Sequence, residues 1–254
     1  MKDLALITWT NTELEDVFSA YFGNLKKYFS ELKNSYVFIN RLSEVIDDDH
    51  LQLCNDENCT YGERLLACLS EVKEKYVLYM QEDFILYDYV NVDEILRCID
   101  FLDKTDCSSI RMIRSSFNTL DIEREKHIYQ IDHNKPEGFL SFTQQPAIWK
   151  KEDLINVISN LNPRTFRDIE SGGQYLGSQV MRELGYYSCF YFDVDSKPRN
   201  GRWGCGHYDN NIFPYIATAL QQGKWNTGEY EEEITSILKE YNIDINHRGC
   251  WEGE

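Results

Sequence analysis

Positive charge is scarce in this sequence: 26 Lys and Arg stand against 43 Asp and Glu in 254 residues, a formal net charge of −17. Such a surface repels phosphate backbones and anionic lipid, so nucleic acid and membrane surfaces are excluded as partners unless a local basic patch intervenes. Long apolar runs are missing as well. No stretch approaches the roughly 20 residues of a membrane-spanning helix, and the opening MKDLALITWTNTELED turns acidic after a few apolar residues. Neither a span nor an export signal is expected, and a cytoplasmic location follows, in which the eight cysteines read as reduced thiols. The sequence has no linker, repeat or low-complexity segment, no G-x-S-x-G elbow and no phosphate-binding P-loop. Gly201, Gly204 and Gly206 do not follow a strand at dinucleotide-fingerprint spacing, which disfavours an oxidoreductase. Cys54 and Cys59, with His50 nearby, lack the second Cys or His pair that a structural zinc site needs.

What is present is an ordinary globular composition, 42% hydrophobic and 14% aromatic, long enough for a large core. Leu4–Thr8 is a strand-length apolar run, followed by Thr12-Glu13-Leu14-Glu15 with the spacing of a helix capping box. Leu14, Val17, Phe18, Tyr21, Phe22, Leu25 and Tyr28 then recur at helical spacing and need a sheet to pack on. Tyr36–Ile39 supplies a second strand, and Thr60-Tyr61-Gly62-Glu63 repeats the capping signal ahead of Leu65, Leu66, Leu69 and Val72. Tyr76–Met80 is apolar on both faces, as a strand inside a mostly parallel sheet should be. A helix through Val92, Ile95, Leu96, Ile99 and Leu102 and a strand at Ser109–Ile113 continue the alternation of an α/β fold. The second half reads less regularly, which favours a mixed sheet. Strands are expected at 128–131, 139–143 and 186–192, helices at 151–161 and 171–184, a loop at 195–211, and two closing helices through Ile212–Leu220 and Ile234–Tyr241.

The strongest chemical signal is the end of the fifth of these elements. In an open α/β sheet, ligands bind beyond the carboxyl ends of the strands, and Glu82 and Asp83 leave the most apolar strand there. Two acids emerging from a buried strand need compensation, for which a hard divalent cation is suited; the alternative is a pair of solvated loop acids.

The order strand, helix, strand, helix, and then VLYMQEDFIL, resembles the GT-A-type glycosyltransferases that use nucleotide sugars, with Gln81-Glu82-Asp83 in the place of their Asp-X-Asp-type motif. The resemblance implies a single α/β domain with a central mixed, mostly parallel sheet flanked by helices. Residues 1–114 would form its nucleotide-sugar-binding half, and 115–254 the acceptor-binding half with a closing loop and C-terminal helices. It implies transfer of a sugar from a nucleoside diphosphate donor to a carbohydrate or glycan acceptor, as in polysaccharide biosynthesis, assisted by manganese or magnesium and inverting the anomeric centre. A cation on the leaving diphosphate stabilises charge that develops in the transition state. By the family pattern Asp83 would hold the metal, Glu82 would meet the metal shell or the donor ribose, and His207 in GCGHYD would be a further metal ligand. Gln81 stands where the family has an Asp, which leaves one ligand fewer.

Thr8, Thr10 and Asn11 would face the nucleotide, with Arg41 bordering the donor pocket. Lys197, Arg199 and Arg202, in the one basic cluster of an acidic chain, would close on the diphosphate. Thr10 and Thr12 are equally suited to helix capping, and the loop cations to a solvated face. Glu170 and Asp168 are the candidate bases for the acceptor hydroxyl, Asp168 being equally suited to a helix N-cap. Trp149 and Gln145 would meet the acceptor sugar, although a Trp before a helix also suits the core. A sugar nucleotidyltransferase is the alternative enzyme, but Thr8–Asn11 holds no Gly, Lys or Arg for the phosphate loop such enzymes carry. A carbohydrate-binding protein without turnover is the non-enzyme alternative.

Overall fold

The structure, a computed structural model, describes residues 1, 3–114, 119–120, 127–132, 141–169, 174–193, 195–196, 199 and 209–251. Apolar side chains alternate along the first strand β1 (Leu4–Trp9), so that Leu4 and Leu6 enter one core cluster and Ala5 and Ile7 the other. The same division holds along β2 (Ser35–Ile39) and β4 (Tyr76–Gln81), which makes the sheet the middle layer of three. On the first face lie α1 (Glu15–Tyr28), α3 (Val92–Lys104) and α6 (Thr227–Glu240). On the second lie α2 (Tyr61–Glu71), α4 (Lys151–Leu161) and α5 (Gln174–Glu183).

Among the described residues nine strands form one sheet in the order β3-β2-β1-β4-β8-β5-β9-β7-β6. The remaining strands are β3 (Leu51–Cys54), β5 (Cys107–Arg111), β6 (Thr119–Leu120), β7 (Ile128–Ile131), β8 (Ala147–Lys150) and β9 (Tyr187–Tyr191). β3, β2, β1 and β4 run parallel, β8 runs against both β4 and β5, β9 runs with β5, and β7 runs against β9. The sheet is therefore mixed and mostly parallel, with helices on both faces, as expected. From β1 the chain steps outward through β2 to β3 and then returns through α2 to place β4 on the other side of β1. The strand order thus reverses between β1 and β4, the position at which an α/β sheet opens a crevice at its carboxyl edge.

Several local expectations need correction. The first helix opens with a single 3-10 turn at Thr12–Leu14, and its cap is the Asn11 side chain, which accepts from Glu13 N at 2.9 Å; the Thr12 amide is instead held by Asn40 Oδ1 at 2.9 Å. Only the second capping box forms in full: Thr60 N donates to Glu63 Oε2 at 2.8 Å and Glu63 N to Thr60 Oγ1 at 3.3 Å. β3 was not expected, because its burial is slight and its four residues carry little apolar pattern. Ser141–Thr143, the described part of the strand expected at 139–143, is not extended sheet; the strand is β8, a few residues later. β8 comes from the second half of the chain but lies between β4 and β5 of the first.

Ile212–Ala219 is not a helix. The Asn210 side chain takes the amides of Ile212 and Phe213 at 2.8 and 2.9 Å, and Pro214 has no amide to give a helix. The segment runs beside residues 83–91 as a strap, with Tyr87 N to Pro214 O at 3.0 Å, Ile216 N to Ile85 O at 2.9 Å and Ala219 N to Asp83 O at 3.0 Å. It is apolar because it is buried nearly all round, and such a run has no diagnostic period. It leads into a hairpin of β10 (Leu220–Gln221) and β11 (Lys224–Trp225), then α6, and a short α7 (Ile245–Arg248). Thr60→Ala should remove the cap of α2 and cost roughly 1 kcal/mol, measured as a lower urea midpoint at unchanged slope. An unchanged midpoint would assign the helix start to tertiary docking alone.

Candidate functional site

The carboxyl ends of β1, β2 and β4 border a cleft of about 420 Å³ at the reversal of strand order. Trp9, Thr10 and Asn11 come from the end of β1, Asn40 from the end of β2, and Gln81 and Glu82 from the end of β4. The opposite wall is Asn55, Tyr61 and Arg64, with Phe166 beside them. The aromatic groups support one another: Trp9 meets Tyr61 edge-on with ring centres 4.7 Å apart, and Phe166 meets Tyr61 at 5.6 Å. Arg64 lies with its guanidinium 5.5 Å from the Trp9 ring centre and donates to Asn55 Oδ1 at 3.3 Å. It is the one cation lining the cleft among the described residues, and its Nε is buried without a hydrogen-bond partner.

The capping box explains how Arg64 arrives there. It fixes the first turn of α2 at the carboxyl edge of the sheet, and Arg64 is the residue that follows. The α2 amides themselves are occupied, since Tyr61 N donates to Arg164 O at 2.9 Å and Gly62 N to Pro163 O at 2.8 Å. A Cβ on Gly62 would stand 2.9 Å from Pro163 Cδ, so a small residue lets the 163–168 segment close over this helix end.

Glu82 is 7% exposed. Burial raises its pKa to about 7, against the opposing pull of its own backbone amide, the neighbouring Thr10 and the more distant charge of Arg248. Thr10 is 3% exposed, and its hydroxyl favours the charged Glu82 without closing a hydrogen bond of standard geometry. Arg248 is held in turn by Asp16, with Nε to Oδ2 at 2.6 Å. Glu82 and Asp83 occupy a tight turn in which Phe84 N donates to Gln81 O at 3.1 Å. Asp83 is half-buried and does not line the cleft; its charge bears on Tyr21 and Tyr215. The two acids therefore serve adjacent surfaces of the carboxyl edge.

Oxygen ligands from a desolvated carboxyl suit a hard divalent cation, since the charge that burial penalises is the one a cation neutralises. Glu82 and Asp83 supply two such groups. Among the described residues no three His, Cys, Asp or Glu side chains come together as a metal site. His207, the further ligand expected, lies outside the described residues, as do Lys197, Arg202 and Glu170.

The structure separates the other expected site residues. Asn11 and Thr10 line the cleft, but Thr8 is wholly buried and its hydroxyl lies 2.8 Å from that of Tyr21, because strand alternation turns it into the opposite layer. Arg41 is exposed and donates to the Thr12 hydroxyl at 3.0 Å, whereas the preceding Asn40 lines the cleft. Arg199 is not free for a diphosphate: burial opposes its charge, but Glu233 at 2.6 Å and Asp209 at 2.5 Å hold it, and it covers the Tyr230 ring at 4.3 Å. Asp168 is exposed and accepts from the amides of Thr165 and Arg164 at 2.8 and 2.9 Å, which lowers its pKa and makes it a turn cap and a weak base. Trp149 is 3% exposed in the second core cluster beside Phe142, where no sugar can stack on it. Gln145 is half-buried and anchored, accepting from the Tyr215 hydroxyl at 2.8 Å and donating to Ala217 O at 3.3 Å. Cleft residues that sequence reasoning passed over are Trp9, Asn40, Asn55, Tyr61, Arg64 and Phe166. The one available signal was an arginine directly after a capping box.

No family model and no curated protein sequence matches the chain. Among solved structures it is similar to the mannosyltransferase PcManGT from Pyrobaculum calidifontis in complex with GDP-Man and Mn2+, at 12% identity over 74% of this chain and 56% of that one, TM-score 0.46. It is also similar to 2-C-methyl-D-erythritol 4-phosphate cytidylyltransferase from Thermus thermophilus, at 14% identity over 75% and 88% of the two chains, TM-score 0.46. A third similar structure is S. aureus TarS 1–349, at 12% identity over 97% and 68%, TM-score 0.47. The chain spans just over half of the mannosyltransferase. These are distant likenesses of chain course.

Folded Glu82 keeps its proton to higher pH than an unfolded glutamate, so its contribution is most favourable in acid and is lost as pH rises through the ordinary carboxyl range to about 7. In metal-free buffer Glu82 should contribute a loss of up to about 3 kcal/mol across that window, read as the difference between the wild type and Glu82→Gln, whose slope lacks that loss. Urea unfolding at several pH values measures both slopes; parallel slopes would remove Glu82 from the account.

Proposed function

We propose that the chain is a glycosyltransferase that binds a nucleotide diphosphate sugar at the carboxyl edge of β1 and β4. The observation that carries this is the buried Glu82, followed directly by Asp83, at the point where strand order reverses and beside an aromatic, amide-lined cleft. Trp9 and Tyr61 offer faces and edges for a nucleobase, and the amides of Asn11, Asn40 and Asn55 suit base and ribose hydrogen bonds. Arg64 supplies a guanidinium to a phosphate.

The cleft is nevertheless acidic. Glu13 and Glu57 stand at its rim with Glu82 inside, against the single Arg64 among its described lining residues. A diphosphate entering such a field needs added positive charge. Manganese or magnesium held by Asp83 and His207, with Glu82 beside them, would supply it and would stabilise the leaving diphosphate. Lys197 and Arg202 are the side chains proposed to add charge from the 195–211 loop, and Glu170 to take the acceptor proton in an inverting transfer. Gln145, at the edge of β8, is proposed to mark the acceptor side.

The sugar nucleotidyltransferase alternative is weakened by the end of β1, where Asn11 caps a 3-10 turn at once and leaves no glycine-rich loop to wrap a triphosphate. Calorimetric titration of a panel of nucleoside diphosphates, with and without manganese, tests the proposal together with hydrolysis of the matching nucleotide sugars. Binding should tighten about tenfold or more with metal, lose that gain in Asp83→Ala, and weaken by roughly 1.5–3 kcal/mol in Arg64→Ala. Binding of sugars alone, indifferent to metal and to Asp83, would favour the non-catalytic alternative. Pyrophosphate release from a nucleoside triphosphate and a sugar phosphate would favour the nucleotidyltransferase.

A further inference from the structure

Arg111 ends β5 and is 4% exposed. Its backbone is fixed from both sides, in register with Ala147 of β8 and Phe190 of β9. Among the described residues no carboxylate pairs with it, and its Nη2 is buried with no hydrogen-bond partner. Burial pushes its pKa down to about 10, and the Tyr215 phenol opposes that shift. A buried guanidinium left in this state costs several kcal/mol, although an apolar side chain of similar volume would fill the same space. Local rules broken without internal compensation cluster at functional sites.

The position gives the violation a direction. Adjacent strands lie roughly 4.8 Å apart, so the end of β5, with β8 between, stands on the order of 10 Å from the end of β4. That puts Arg111 on the far side of the acid turn from the aromatic cleft. Tyr215 joins the two regions, because both the Asp83 and the Arg111 charges bear on it and its hydroxyl holds Gln145 at 2.8 Å.

We propose that Arg111 anchors a subsite for an oxyanion, a phosphate ester or a sugar carboxylate, on the sugar-bearing side of the substrate. The inference rests on the glycosyltransferase reading for the word substrate, but the anion site itself does not require a nucleotide. It adds a substrate class to that reading: at least one of the two sugar partners carries a negative charge away from the diphosphate. The guanidinium offers five donors in a planar fork, and an oxyanion would take the contacts that no group among the described residues makes.

The test uses the full chain and two nucleotide-free probes, glycerol 3-phosphate and glucuronate, in thermal unfolding and calorimetry against sodium chloride at matched ionic strength. At least one probe should raise the unfolding temperature of the wild type, and which one does so identifies the source of the oxyanion. Arg111→Met should bind that probe about tenfold more weakly or worse, while Arg111→Lys keeps part of the response. Arg111→Met should also unfold at or above the wild-type temperature without ligand, because it removes an uncompensated buried charge. A structural arginine predicts the reverse. The proposal is overturned if neither probe acts beyond salt, if Arg111→Met responds like the wild type, or if it unfolds well below the wild type while Arg111→Lys does not. A failed nucleoside diphosphate titration with a positive probe response would sink the glycosyltransferase reading and leave the anion site standing.

Discussion

The carboxyl end of β4 is the constraint on which the site depends. The strand is covered on both faces, with Leu78 and Met80 entering one helical layer and Val77 and Tyr79 the other. It also stands where the parallel half of the sheet meets the antiparallel β8. A strand so enclosed can present polar groups only at its end, and there the chain turns within four residues through Gln81, Glu82, Asp83 and Phe84. Glu82 bears the consequence, a carboxyl inside the cleft whose charge is disfavoured by its surroundings.

Several cations elsewhere are committed. Arg199 binds Asp209 and Glu233, Arg248 binds Asp16, Lys26 binds Asp47 and Asp49, and Lys27 binds Glu240. The exposed pairs contribute little to stability, whereas Arg199 and Arg248 are mostly enclosed and fix α6 and α7 against the rest of the fold. In a chain of −17 this leaves few positive groups for an anionic ligand. Among the described residues Arg64, Arg97 and Arg111 each keep a buried guanidinium nitrogen without a hydrogen bond; Arg97 is paired with Glu94, which leaves Arg64 and Arg111, one on each side of the acid turn.

Much of the first half was legible because its signals are local. A capping box, an apolar stripe and a strand apolar on both faces each report on their own segment, and α1, α2, α3, β1, β2 and β4 all formed where those signals stood. The second half depended on contacts distant in sequence. β8 is four residues long, and its place between β4 and β5 is set by pairing partners about 70 and 40 residues away. Residues 212–219 have helical spacing only because nearly every position is buried. The site divided the same way. The acid pair was visible because it interrupts an apolar run, and Asn11 because it follows a strand. Arg64, Asn55 and Phe166 reach the cleft through tertiary packing, which leaves no mark at their own positions, and Thr8 and Trp149 were lost to the core by strand alternation and burial.

The strap 212–219 decides how rigidly the acids are held. Its backbone bonds to Asp83, Ile85 and Tyr87 make the segment after β4 one side of an irregular ribbon, so main-chain contacts hold the turn in addition to the packing of Phe84, Ile85 and Leu86 in the core. The ribbon is closed at the far end, where Asn91 N donates to Ile212 O at 2.9 Å, and it is tied to α1 midway, where the Asn24 side chain donates to Leu86 O at 2.7 Å. Functional groups carried on a loop need a scaffold of this kind. A change of either carboxylate then alters charge at a position that the backbone still maintains. Tyr215 belongs to the same strap and carries Gln145, so the acid turn and the β8 edge are parts of one assembly whose spacing the main chain fixes.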